Sequence, residues 1–583
     1  MAMTSLILML VGLTTMTATA HTTNPYWYQR YPAYPPYCSI PSEMNRRSIP
    51  PLRPNVHVGD SRLAHVTAVI RHGARTPWSG QMQCWDNYNE IWDCDLTTFL
   101  SPPSPRTVDE EEQNGDSGSS SDAMFLFEKR YDALLFPQEN ELGGTCQKGQ
   151  LLLRGYDQEL VNGQYLRNAY VFDGSNMEHD ITMRLLDLKA DIRPYDEPTL
   201  RYRSDDDQRT LMSGQVLLRG MFGTEFVQQT KVNYGQSPII PLHVADRSRD
   251  VLNPNHDECP ALDDLYETAM ASSDFKALNT STEFRHLYTM IEKELGVKEM
   301  TSPLECLMTT ICTDRTLPDI LDDYERKPTN KTAAKWEASY ANNRFERLMK
   351  LGTQVEVFPF LHNDATYSKL AMGPLWAEIL DKILPIIDRG DRGAARNKLH
   401  VISGHDTTLI PLLASLGIWG LDKWPPYASM FLLELHEFID GRTDKDFYPS
   451  YYGFRLVFNG QVLTDQITGC PEGHDICDFG VLRNLLQPFA KRDGRMCEAT
   501  KTTAQLLGTE ASQIVSGSGG VWLYLVTIFM SIAIGFYGAK WKLKRSDRVA
   551  IAGIAEMTEF RGGYRDYPTI PSEDDEKPDM RVI

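Results

Sequence analysis

The chain has 583 residues and contains no C-x-x-C spacing and no H-E-x-x-H segment, which removes the common zinc frameworks. It has no internal repeat, so solenoid and propeller architectures are excluded. Positive charge is in deficit. The 59 Lys and Arg stand against 78 Asp and Glu, a net charge of −19, whereas a nucleic-acid binder needs a basic face. Surplus acid fits an ectodomain working in an acidic compartment, where carboxylates partly protonate, and fits equally a surface charged for solubility. Cysteine is absent beyond position 497. The length exceeds that of one ordinary domain, so a large core with an inserted subdomain is expected.

The remaining compositional signals concern topology. An apolar stretch at 6–13 followed by small residues reads as a secretory signal over 1–20, with cleavage after Ala20, although no Lys or Arg precedes it. Residues 521–539 form an almost uncharged run of spanning length with Trp522 and Tyr524 at one edge, and Lys540-Trp541-Lys542-Leu543-Lys544-Arg545 follows. Aromatic belt and basic cluster predict a single-pass type I protein, with 540–583 as a cytoplasmic tail. The ten cysteines all fall on the lumenal or extracellular side, an even count that reads as disulfides. Cys84/Cys94, Cys306/Cys312 and Cys470/Cys477 are local candidate pairs, with connectivity open. Asn279 and Asn330 head sequons in polar stretches and are expected glycosylation sites.

Between signal and anchor the chain reads as an α/β domain over 21–500. A Pro- and Tyr-rich lead, 21–60, precedes an apolar strand, Val66-Thr67-Ala68-Val69-Ile70. Residues 100–122, rich in Pro, Ser and acid, predict a disordered insertion. Leu153, Tyr156, Leu160, Tyr165 and Leu166 recur at helical spacing. A second strand is expected at 199–202, with Ser204 or Asp205 capping the helix after it. A polar, helical stretch follows, and an α-helical cap is predicted over roughly 206–350. A helix at 368–387 leads to a strand at 398–403, and further strands are expected at 430–436 and 453–458 with a turn at Asn459-Gly460. A Thr-, Ser- and Gly-rich stalk, 501–520, joins domain to anchor.

Three strand ends carry chemistry. The first strand runs into Arg71-His72-Gly73-Ala74-Arg75-Thr76-Pro77, whose fixed identities arise by chance about once in 10⁵ chains of this length. Two Arg around one His crowd positive charge, which costs energy unless an anion joins them. The second strand is followed by Arg203, and the strand at 398–403 by His405 and Asp406. Strand carboxyl ends are where open α/β sheets place ligands. Guanidinium forks suit phosphate, flanking cations keep His72 neutral and nucleophilic, and Asp406 is the expected proton donor to a leaving alkoxide. Neither a metal nor another cofactor is required. Each residue also has a plainer reading: His405-Asp406 as a helix cap, Arg75 as an ion-pair residue, Arg203 as a surface residue with Arg209 the ligand instead.

Taken together these residues resemble the histidine acid phosphatase family. The heptad matches its R-H-G-x-R-x-P loop. Gly149-Gln150-Leu151 with Gly155, Gln158, Gly163, Leu166-Arg167 and Tyr170 matches its helix. Arg203-Ser204-x-Asp206-x-x-Arg209-Thr210 and Ser403-Gly404-His405-Asp406-Thr407-Thr408 match later blocks. The likeness spans roughly 60–490 and departs at the acidic insertion 79–147, at Leu152 and at the spanning segment. It implies a three-layer α/β/α core with a mixed, mostly parallel sheet and an inserted α-helical cap subdomain. It implies His72 as nucleophile, Asp406 as proton donor, Arg71, Arg75, Arg203 and His405 as phosphate ligands, and a local disulfide at Cys470–Cys477. The expected substrate is a small-molecule or glycan phosphomonoester. Shorter likenesses at 37–41 and 162–167 to phosphoxylose phosphatases make narrow specificity for glycan sugar phosphates an alternative, with inositol phosphates another. A binding module on an inactive phosphatase fold is the alternative of a different class. Tyr567-Pro568-Thr569-Ile570 resembles a tyrosine-based sorting signal, so endosomal or lysosomal adaptors are expected partners.

Overall fold

The apolar run that ends in the heptad becomes the middle of a sheet. Strand β1, Ser61–Arg71, is buried at every position except Arg62. A strand covered on both faces needs a near-continuous apolar sequence and helices above and below it, and both are present. This computed structural model describes residues 27–497 apart from 54–60, 79–83, 87, 95–128, 133–139, 141, 173–182, 188–198, 235–238, 297–301, 325–343, 390–396, 440–450 and 493–496. The expected signal (1–20), insertion (100–122), sequon Asn330, stalk, spanning stretch (521–539) and tail signal at Tyr567 lie outside the described residues. Among those described, no helix is long and apolar enough to cross a membrane.

Strands β2 (Val171–Phe172) and β3 (Leu186–Asp187) pair only with each other. The others are β4 (Leu200–Ser204), β5 (Leu242–His243), β6 (Leu399–Gly404), β7 (Met430–Phe438), β8 (Tyr452–Phe458), β9 (Gln461–Val462) and β10 (Cys477–Asp478). They form one mixed sheet in the order β10-β8-β7-β1-β6-β4-β5, with β9 beside β8. From β1 through β6 and β4 to β5 the pairing is parallel, and from β1 through β7 to β10 it is antiparallel. Asn459 (φ 48°) and Gly460 (φ 77°) turn β8 into β9, as a tight hairpin requires.

Period-two alternation sorts the core into two layers. Val66, Ala68 and Ile70 pack with helices Leu153–Tyr170 and Gln208–Tyr234 through Leu166, Tyr170, Leu217 and Met221. Val69, Ile402, Phe431 and Leu433 pack on the other face with helices Arg344–Arg389 and Asp406–Ser415 through Leu375, Trp376, Ile379 and Leu413. Each such side chain contributes roughly 1.5–3 kcal/mol by leaving water. Helix Gln208–Tyr234 falls within the span expected for the cap, yet it belongs to this sheet-covering layer.

Helix Ala261–Ala271 packs Leu262 and Leu265 into the sheet-facing core, and a separate helical group follows through Ser273–Asn279, Thr282–Leu295 and Ser302–Cys312. Ser272 and Ser281 cap two of these helices by accepting from the Phe275 and Phe284 amides. Leu287, Ile291, Leu307, Ile311, Phe345 and Leu348 form its own core. Helix Arg344–Arg389 serves both groups, because its axis breaks at His362–Ala365, where three residues have positive φ. Asn279 is exposed at the end of its helix, as a glycan acceptor must be.

The ten cysteines form five disulfides. Cys470–Cys477 is local as expected, and the other two local expectations are overturned. Cys84 bonds Cys306, Cys94 bonds Cys146, and Cys312 bonds Cys38. Cys306 and Cys312 share one helix, where six residues rise about 9 Å, too far for a disulfide. Cys259–Cys497 completes the set. Bonds spanning 274 and 222 residues restrict the unfolded chain strongly. In the chain-entropy description each stabilises the fold by on the order of 5 kcal/mol.

Candidate active site

The heptad loop leaves β1 beside the ends of β6 and β4, so three strand termini meet. Its backbone is fastened on every side. The His72 amide donates to Gly404 O (3.1 Å), Ala428 N donates to His72 O (3.0 Å), and Gly73 N donates to Ser213 Oγ (3.1 Å). Ala74 N donates to Gln158 Oε1 (2.9 Å), and Gln158 Nε2 reaches back to the Cys38 and Ser39 carbonyls. Glycine is needed at 73 because a Cβ there would sit 2.3 Å from Gly155 O.

His72 is 1 % exposed, and its Nδ1 lies 2.8 Å from Gly73 O. A carbonyl accepts only, so Nδ1 carries the proton and Nε2 keeps its lone pair. Burial, followed by the positive charges of Arg209, Arg75 and Arg71, holds the imidazole well below its usual pKa. The ring is therefore neutral even in mild acid.

Three guanidiniums surround it. Arg71 lies behind the loop, bonded to Asp406 Oδ2 (2.7 Å) and to Pro425 O, with its plane 4.3 Å from the Tyr427 ring centre. Arg75 is ion-paired to Glu305 of helix Ser302–Cys312. Arg209 enters from the first turn of helix Gln208–Tyr234, 2.7 Å from Asp207 Oδ2 and 4.9 Å from the Trp78 ring centre. Arg203 is elsewhere. Its guanidinium bonds Asp250 Oδ1 (2.8 Å) and Ser204 O (2.6 Å) and lines a different cavity from His72. The structure thus puts Arg209, not Arg203, beside the histidine. Strand alternation is the reason, because Arg201 and Arg203 share the face of β4 that looks toward helix Arg344–Arg389.

His405 and Asp406 begin helix Asp406–Ser415 at the end of β6. The His405 amide donates to Thr408 Oγ1 (3.0 Å), and the Thr407 amide donates to Asp406 Oδ1 (2.9 Å). Burial alone would push the Asp406 carboxyl up, but Arg71 and Arg75 outweigh it and keep it ionised. Burial likewise opposes charge on His405, and Asp205 overrides it, raising the imidazole above its ordinary pKa. His405 Nε2 bonds Asp205 and lies 3.3 Å from Asp207 Oδ2. Asp205, Asp207 and His405 bring three potential metal-ligand atoms within 4.8 Å of one another. A protonated imidazolium donating to both carboxylates accounts for that cluster.

His72, Arg75, Arg209, His405 and Asp406 all line one cleft of about 820 Å³, with Trp78, Tyr131 and His256 higher on its walls. Asp207, Glu305 and Tyr427 escaped the reading of the sequence as contributors to the site, and each acts by fixing a cation. A signal for Arg209 does exist: a cation in the first turn of a helix opposes the macrodipole and calls for a bound anion.

Residues 62–459 match the family model of the histidine phosphatase superfamily (branch 2). Counting factor 60 of Dictyostelium discoideum is 26 % identical over 442 residues, covering 75 % of this chain and 87 % of that protein. Lysosomal acid phosphatase of Xenopus laevis is 26 % identical over 58 % of this chain and 71 % of its own. Lysophosphatidic acid phosphatase type 6 of Bos taurus is 24 % identical over 73 % and 83 %. Among solved structures, the apo Bifidobacterium longum multiple inositol polyphosphate phosphatase is 12 % identical, covers 79 % of this chain and 96 % of its own, and superposes with a TM-score of 0.43.

Proposed function

The chain belongs to the histidine phosphatase superfamily (branch 2), and on that premise we propose that it is an acid phosphatase that hydrolyses phosphate monoesters through a phosphohistidine at His72. One observation carries this reading. A buried, neutral imidazole with a defined Nε2 lone pair lies among three buried guanidinium charges, an arrangement suited to accepting a phosphoryl group from a bound dianion.

The steps balance without a further reagent. The substrate phosphoryl group takes up donors of Arg71, Arg75 and Arg209, with His405 as a fourth cation. His72 Nε2 attacks phosphorus while the P–O bond to the alcohol breaks. The leaving alkoxide takes a proton from Asp406. Water then attacks the phosphohistidine, giving its proton to Asp406, and inorganic phosphate departs with His72 regenerated. In the resting site Asp406 is ionised because Arg71 holds it. A phosphate that draws Arg71 away removes that support and leaves a buried carboxyl that favours its protonated form. Binding is therefore coupled to proton uptake, which is the physical content of an acid optimum.

On the same reading the 521–539 stretch anchors the enzyme with its catalytic domain in an endosomal or lysosomal lumen or outside the cell, and the lysosomal relatives support that compartment. The test is rapid quenching in alkali, where a phosphohistidine survives, to trap label from a ³²P-phosphomonoester on the purified protein. Label on wild type that disappears in His72→Ala is the expected result, and label retained by that variant would sink the mechanism.

A further inference from the structure

A second cavity, of about 770 Å³, adjoins the cleft and shares Asn253 and Asn255 with its wall. Its size is that of small-molecule pockets, roughly 300–1,000 Å³. Among the described residues six cations line it, Arg201, Arg203, Arg249, Lys382, Lys491 and Arg492, against three carboxylates, Glu258, Glu378 and Asp381. Some of that charge is answered internally: Arg203 by Asp250 at 2.8 Å and Arg492 by Asp381 at 2.8 Å, while Arg201 lies 3.6 Å from Glu378. The surplus is still positive, in a chain whose net charge is −19. Crowded cations repel one another unless an anion joins them.

Between the cations the wall is apolar. Leu262, Leu370, Pro374, Phe489 and the Cys259–Cys497 disulfide supply it. Burial and the neighbouring Arg201 charge hold the Lys382 ammonium below its usual pKa, a cost that a bound anion would relieve. None of these residues takes part in the chemistry proposed at His72.

We propose that this cavity is a second binding site, for a compact organic anion: an apolar body bearing one sulfonate, carboxylate or phosphate group. Arg201 and Lys382 hold the head, and Leu370 and Pro374 contact the body.

Naphthalene-2-sulfonate is the probe, titrated into the purified full-length protein by calorimetry. Saturable binding is expected, weakened about tenfold or more by Arg201→Glu/Lys382→Glu and by Lys491→Glu/Arg492→Glu. The second pair sits on the exposed rim, so it decides the matter if the first fails to fold, and its phosphatase turnover should equal that of wild type. Absence of saturable binding, or binding indifferent to both charge reversals, overturns the site. Inorganic sulfate binding as tightly as the probe overturns the role of the apolar wall. Equal binding of 2-naphthol overturns the role of the charge.

Discussion

The cleft at His72 and the cavity beside it are nearly equal in volume and both are lined with arginine, yet their charge is arranged in opposite ways. The four cations grouped around His72 each have a carboxylate in contact: Arg71 with Asp406, Arg75 with Glu305, Arg209 with Asp207, His405 with Asp205. In the cavity the described cations outnumber the described carboxylates and surround an apolar wall. A balanced site admits an anion only by displacing one of its own, so entry is conditional on a proton reaching Asp406. An unbalanced site carries no such condition. The difference teaches that catalysis on a dianion needs cations that are already oriented, and that orienting them requires carboxylates which must later give way.

The sharpest break between the two regions is His72→Ala. Phosphatase turnover should fall by about 10⁴-fold or more, while binding of naphthalene-2-sulfonate stays unchanged. Arg209 and Arg203 give the next contrast. Arg209→Ala should lower kcat/KM by about 10²–10³-fold in steady-state assays. Arg203→Ala should leave kcat/KM within a few-fold. Calorimetry or chemical denaturation should instead show a loss of about 3 kcal/mol of stability, since Asp250 is left buried and unpaired. Reversed outcomes for these two variants would return Arg203 to the catalytic site.

Asp406→Asn should cost about 10²-fold on an alkyl phosphate and much less on p-nitrophenyl phosphate, whose leaving group needs no proton. Equal losses on both substrates would remove Asp406 as the donor. The smallest effect concerns Glu159, a carboxyl buried in helix Leu153–Tyr170 with Asn162 Nδ2 at 3.1 Å. Burial raises it well above the usual carboxylate range, in contrast to Asp207 and Asp406, which neighbouring cations hold below it. A group raised in the folded state favours folding below its unfolded pKa, and that contribution is lost as pH rises through the folded value. Glu159→Gln should therefore leave Tm unchanged near pH 4 and raise it at pH 7, measured by thermal denaturation.

Much of this was written locally in the sequence. β1 and β6 are short apolar runs that end directly in charged residues, so strand, loop and chemistry could be read from one continuous segment. Arg203 misled because it also stands at a strand end, and only the two-residue alternation with Arg201 shows that it faces away. Arg209 was legible through its awkward position in the first turn of a helix. Glu305 and Tyr427 were not, since they meet Arg75 and Arg71 from helices and loops more than two hundred residues away, and no spacing rule spans that distance. Two of the three local disulfide expectations failed in the same manner, proximity along the chain being a poor guide once Cys306 and Cys312 sit on different turns of one helix, while Cys470–Cys477 held.

Helix Ser302–Cys312 has a consequence in time as well as in space. Cys306 ties it to Cys84, just after the heptad, and Cys312 ties it to Cys38 in the amino-terminal lead, while Glu305 between them orients Arg75. A newly made chain in a reducing environment has neither tie. Reduction of these two bonds would free the helix that carries Glu305 from both ends of the heptad's surroundings, so the orientation of Arg75 is tied to the oxidation state of cysteines far from it in the chain.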